Sequence, residues 1–155
     1  MAIEIERKYL VKGDEWRKLA IPVQYAQGYL LADDERTVRV RIAGNSGFLT
    51  IKGKSMGMSR KEFEYAISLE DAHELLLLSQ TPVIEKKRSR IEWEGKIWEV
   101  DEFEGKNKGL IMAEIELKSE DETFILPPWI GEEVTGDFRY FNSYLSQNPY
   151  AEWKL

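Results

Sequence analysis

At 155 residues the chain suits one domain, residues 1–155, with a single core. Its composition, 43% hydrophobic and 32% charged, is that of an ordinary globular protein, and its longest apolar run, Leu75–Leu78, falls far short of the roughly 20 residues that span a bilayer as a helix. A net charge of −6 argues against an outer surface that grips nucleic acid, yet it leaves room for a small anion held in an internal basic cavity.

Cysteine is absent, which removes disulfides, thiolate nucleophiles and cysteine-type zinc sites. The single histidine, His73, lies in an amphipathic segment and reads as a surface residue, because a reactive histidine needs an orienting partner. Catalysis by this chain would therefore rest on carboxylates and a metal. The N-terminus carries acids where a signal peptide needs an apolar stretch, so the expected location is cytoplasmic, with no membrane partner.

Period-two alternation predicts strands over 2–12, 24–32, 35–43, 47–54 and 59–67, then 84–94, 96–103 and 110–119. Ala32-Asp33-Asp34, Gly44-Asn45-Ser46-Gly47 and Glu94-Gly95 read as hairpin turns. Gaps this short imply antiparallel neighbours. Between the fifth and sixth strands, Ser68-Leu69-Glu70-Asp71 opens a capped helix that runs to Ser79. Ser119 with Glu122 is a second capping signature, ahead of Phe124 and Ile125. Asp137 can cap a last helix that carries Phe138, Phe141, Tyr144 and Leu145 on one side. The fold class expected is α+β: a closed eight-stranded antiparallel β-barrel flanked by a few helices, closure also removing exposed edges.

Side chains two apart on a strand share a face. The faces so defined carry Glu4, Glu6 and Lys8; Arg39 and Arg41; Lys52 and Lys54; Glu62 and Glu64; Lys86, Arg88 and Arg90; Glu99 and Asp101; and Glu114 and Glu116. Any one of these is an ordinary wet strand face. As a set they are unusual, because most carry a single sign although like charges adjacent on one face repel. If the charged faces line a closed barrel, the interior is a polar tunnel with cationic and anionic zones. Such buried charge is costly without a ligand or metal. Arginine and lysine suit phosphate oxygens, and carboxylates suit Mg²⁺ or Mn²⁺.

Glu4-Ile5-Glu6-Arg7-Lys8 resembles the E-x-E-x-K signature of the CYTH, or triphosphate tunnel metalloenzyme, family. The resemblance continues in order through Val38–Arg41, Leu49–Lys52, Arg60–Glu64, Glu85–Arg88, Trp98–Asp101, Ala113–Glu116 and Pro127–Asn142, and it covers roughly residues 2 to 145. One departure is Ser89, where many relatives carry tyrosine. The resemblance implies an eight-stranded tunnel that binds a triphosphate with Mg²⁺ or Mn²⁺. It implies that Lys8, Arg39, Arg41, Lys52, Lys86, Arg88 and Arg139 grip phosphates. Glu4, Glu6, Glu62, Glu64, Asp101, Glu114 and Glu116 would hold metal or orient water, with Lys8, Glu6 and Glu116 the catalytic set. The small bacterial members it resembles point to inorganic tripolyphosphate as substrate. Thiamine or nucleoside triphosphate hydrolysis, class IV-type adenylate cyclisation and non-catalytic polyphosphate binding stay open as alternatives. So does a homodimer.

Overall fold

The computed structural model describes residues 2–153. Nine strands form one sheet: β1 (Ile3–Val11), β2 (Val23–Ala32), β3 (Arg36–Ala43), β4 (Ser46–Gly53), β5 (Ser59–Ile67), β6 (Ile84–Trp93), β7 (Lys96–Phe103), β8 (Ile111–Glu116) and β9 (Ile130–Glu133). Their order is β5-β4-β3-β2-β6-β7-β8-β1-β9, and β5 also pairs with β1. Eight strands thus close an antiparallel barrel, with β9 branching from the far end of β1. Closure rests on a short ladder, Ile3↔Lys61, Glu4↔Arg60 and Ile5↔Ser59, extended by the amide of Glu6 donating to the carbonyl of Met58 and that of Glu62 to Ala2.

The turns follow from local chemistry. Glu94 and Gly95 both take positive φ, 48° and 77°, which matches the two-residue turn whose twist fits a hairpin. After β2, the Asp33 carboxylate accepts from the amides of Glu35 and Arg36 and bends the chain into β3.

The eight barrel strands lie where the alternation put them, within a few residues at the ends. α1 (Leu69–Leu76) also forms, with the Ser68 hydroxyl accepting from the Asp71 amide and His73 exposed. Two expectations need correction. No helix follows Ser119, because Glu122 instead accepts from the Lys118 amide and pairs with Lys96, and Phe124 packs edge-on against Trp98. The helix expected after Asp137 is split. Asp137 caps a single 3₁₀ turn, Phe138–Tyr140, and α2 (Asn142–Gln147) starts afresh beyond Phe141. No helix among the described residues is long and apolar enough to cross a membrane.

The barrel is inverted: charged faces point inward and apolar faces outward. Its hydrophobic core lies outside the wall in three pieces. Tyr9, Trp98 and Ile115 of the wall pack with Trp129 and Phe124 of the 117–130 segment. Tyr29, Phe103 and Met112 pack with Tyr140 and Leu145 of the C-terminal segment, and Val40 and Ile42 with Ala72 of α1. Ser89, buried and outward-facing between these layers, bears on packing rather than on the interior.

Trp98 is completely buried and meets the rings of Tyr9, Phe124 and Trp129 edge-on at 5.6, 5.8 and 6.2 Å. Trp98→Ala is expected to lower unfolding free energy by about 3–5 kcal/mol, read from the midpoint of a urea titration.

Candidate functional site

The barrel encloses a cavity of about 390 Å³ lined by eight cations and seven carboxylates. Twelve of the fourteen residues selected from the sequence line it: Glu4, Glu6, Lys8, Arg39, Arg41, Lys52, Glu62, Glu64, Lys86, Arg88, Glu114 and Glu116. Arg90 and Glu99, which fit the same alternation, line it too.

Sheet order sorts these charges into two arcs. β3, β2 and β6 are neighbours, so Arg39 and Arg41 stand beside Lys86 and Arg88, separated by the uncharged Tyr25, Gln27 and Tyr29 of β2. On the other side β7, β8, β1 and β5 are neighbours, which sets Glu99 opposite Glu114, and Glu116 opposite Glu6. Lys52 of β4 bridges the arcs, with its ammonium 3.0 Å from Glu4 and 3.2 Å from Glu62.

The carboxylate arc is crowded. Burial and the nearby charges of Glu114 and Glu4 push the Glu6 carboxyl well above its usual range. Burial with the neighbouring carboxylates also raises Glu116. Glu62 is raised by burial and by its contact with Glu4. One carboxylate oxygen from each of Glu4, Glu62 and Glu116 lies within 4.8 Å of the others. An all-oxygen donor set under like-charge strain fits a hard divalent cation.

The cationic arc is short of counter-charge. Arg41 makes no ion pair among the described residues; its Nε donates to Gln27 Oε1 at 3.0 Å. Burial and the adjacent Arg39 and Arg88 push it down to about 10, still protonated at neutral pH. Arg39 reaches only Glu64, at 3.8 Å. Lys8 is 3.9 Å from Glu114, donates to the carbonyl of Tyr140, and faces the Phe141 ring. Guanidinium and ammonium donors turned into a cavity with carboxylate partners few or distant suit a polyanion.

Two selected residues lie elsewhere. Asp101 is fully buried behind the lining, where its oxygens take Arg88 at 2.7 and 2.8 Å and Lys86 at 2.7 Å. Both of its oxygens thus hold cations in place in this structure. Arg139 is half-exposed outside the cavity, because the Asp137 cap that receives its amide also takes its guanidinium at 2.7 Å. In this structure it therefore does not line the cavity among the described residues. Lys54 lies at an exposed rim near Glu35.

Sequence reasoning missed several lining residues. Arg60 shares the face of Glu62 and Glu64, so strand parity alone would have found it. It makes no ion pair among the described residues and sits 5.7 Å from the Phe141 ring. Tyr25 and Tyr29 are uncharged and gave no signal from charge. Phe141 and Asn142 enter from the C-terminal segment, with Asn142 Oδ1 accepting from Lys86 Nζ at 2.9 Å.

A family model for the CYTH domain matches residues 2–143. A protein of Acetivibrio thermocellus named inorganic triphosphatase is 52% identical over 155 residues, covering 99% of this chain and 99% of that protein. A protein of the same name from Nitrosomonas europaea is 38% identical over 148 residues, covering 92% of this chain and 96% of that one. A crystal structure of an inorganic triphosphatase matches the fold with a TM-score of 0.63 at 35% identity, covering 92% of this chain and 96% of the other.

Burial by itself would raise the Asp101 carboxyl, but the Arg88 and Lys86 charges hold it down to about 2. Its stabilising effect is therefore complete above the unfolded value of about 3.9 and is lost as pH falls through about 2. Asp101→Asn removes the buried partner of Arg88 and Lys86 and is expected to cost about 3–5 kcal/mol at neutral pH. Urea titrations at neutral pH and from pH 5 to pH 2 are expected to show that loss, and a shallower decline in acid for the variant.

Proposed function

The chain belongs to the CYTH domain family, and on that footing we propose that it hydrolyses a linear triphosphate, inorganic tripolyphosphate first among them, with Mg²⁺ or Mn²⁺. The observation that carries this reading is Arg41, a half-buried guanidinium with no ion pair among the described residues, facing a crowded carboxylate arc across one cavity. Identity of 52% with an inorganic triphosphatase supports the choice of substrate.

In this reading the triphosphate lies along Arg39, Arg41, Lys86 and Arg88, with Lys52 spanning to the acidic side. Glu4, Glu62 and Glu116 would hold the cation, with Glu6, Glu64 and Glu114 lining the same acidic wall. When bound, the cation would neutralise phosphate charge and lower the pKa of a coordinated water. Glu6 and Glu116 orient the attacking water, whose oxygen bonds to the terminal phosphorus as the bridging P–O bond breaks. Inorganic phosphate and pyrophosphate are the products, and the water's proton passes to the carboxylate arc. Lys8, between Glu114 and the Phe141 ring, stabilises charge on the transferring phosphoryl group. Phosphoryl transfer asks a protein mainly for positioning and charge neutralisation, which these two arcs are suited to supply.

Phosphate release from tripolyphosphate, ATP and thiamine triphosphate, each with Mg²⁺, Mn²⁺ or chelator, tests the assignment. Metal-dependent release that is fastest from tripolyphosphate is expected. Glu4→Gln, Glu6→Gln and Glu116→Gln are each expected to abolish it, and full activity in all three would refute the metal assignment. Lys8→Ala is expected to lower kcat by about 10²-fold or more with a smaller change in KM.

A further inference from the structure

Among the charged side chains of the cavity lies one uncharged chain of hydrogen bonds whose polarity is dictated from one end. Arg41 at one end has no acceptor and fixes that polarity, while Lys86 at the other is fully buried with its amino group 2.7 Å from Asp101. The amide of Asn142 must therefore turn its oxygen toward Lys86, and Oδ1 accepts there at 2.9 Å. The same oxygen accepts from Gln27 Nε2 at 3.0 Å. With its nitrogen so committed, Gln27 can present only its oxygen in the other direction, and Oε1 accepts from Arg41 Nε at 3.0 Å. Arginine has no acceptor, so every link agrees in sense and both amide orientations follow from the network.

Gln27 has no solvent exposure and occupies the centre of β2, the strand between the two basic strands. A carboxylate in its place would hold the guanidinium more strongly but would neutralise it. A neutral acceptor holds Nε and leaves both the positive charge and the terminal nitrogens of Arg41 for a ligand.

We infer that Gln27, oriented through Asn142, is a positioning residue that aims Arg41 into the cavity while leaving its charge unspent, and so sets the affinity for a triphosphate chain. This deepens the reading of the cavity as the triphosphate site and rests on it. It also gives α2 a task, since Asn142 is the first residue of that helix and reaches both Lys86 and Gln27.

The test is calorimetric binding of tripolyphosphate in the presence of chelator, with melting temperatures measured alongside. Gln27→Glu, which neutralises the Arg41 charge, is expected to weaken binding by about ten-fold or more, the scale of one lost charge-assisted contact, and the melting temperature shows that the variant is folded. Gln27→Met, which keeps the length and removes the acceptor, is expected to weaken binding in the same direction. In an Arg41→Ala background either change should alter affinity by less than about twofold, because the partner it acts through is gone. Binding by Gln27→Glu within twofold of the unsubstituted protein would overturn the inference. So would a loss of the same size with and without Arg41. Because binding is the readout, absent phosphate release would count against hydrolysis and not against the relay.

Discussion

Inside this barrel, carboxylates are held beside carboxylates and cations beside cations, and most other features accommodate that separation. An ion pair at each strand crossing would be the comfortable arrangement. Here the acids of β1, β5, β7 and β8 form one wall and the bases of β3 and β6 the other. Charges so arranged cannot collapse on one another to fill the space, so the interior stays open and wet. The apolar side chains are driven to the outside of the wall, where they need covers of their own. The 117–130 segment, α1 and the C-terminal segment supply them, which explains why so small a protein has its core in three pieces.

Where the separation is relaxed, the reason is local. Asp101 stands on the acidic side in sequence pattern yet serves the basic side, holding Lys86 and Arg88 by a ladder pairing between β6 and β7. Lys52 performs the converse service for Glu4 and Glu62. These two clusters fix the edges of the arcs and leave their centres, Arg41 on one side and Glu6 with Glu116 on the other, without ion pairs among the described residues. A polyanion and a divalent cation are the species that relieve both centres at once.

Much of this was legible in the sequence because a strand has a period of two. Arg39 and Arg41, or Glu114 and Glu116, announce a shared face by spacing alone, and turns such as Glu94-Gly95 mark where each strand ends. Parity says nothing about height along the barrel or about what a neighbouring strand already claims. Hence Asp101 had the right face but lies behind the lining, and Lys54 had the right face but lies at the rim. Arg139 is on no strand at all, and a cap two residues away decides its direction. Arg60 was legible and overlooked. Gln27 was not legible, because a lone glutamine between two tyrosines carries no charge signal, and its importance depends on Asn142, 115 positions away. The four-residue β9 escaped notice behind the Pro127-Pro128 pair, and only pairing with the end of β1 makes it a strand.

The placement of β1 also constrains the order in which the molecule can assemble. β1 is the first strand in the chain, yet its ladders are with β8, with β5 and with β9, all of them later. As the chain emerges from a ribosome, the β2–β5 hairpins can form early from near neighbours, whereas the long ladder of β1 with β8 must wait for a partner roughly a hundred residues downstream. Glu6 and Glu116 come together only at that step, so the acidic wall is completed by the event that closes the barrel. A nascent or partly opened chain can display the basic strands without the carboxylate pair, which ties the acidic wall to completion of the fold.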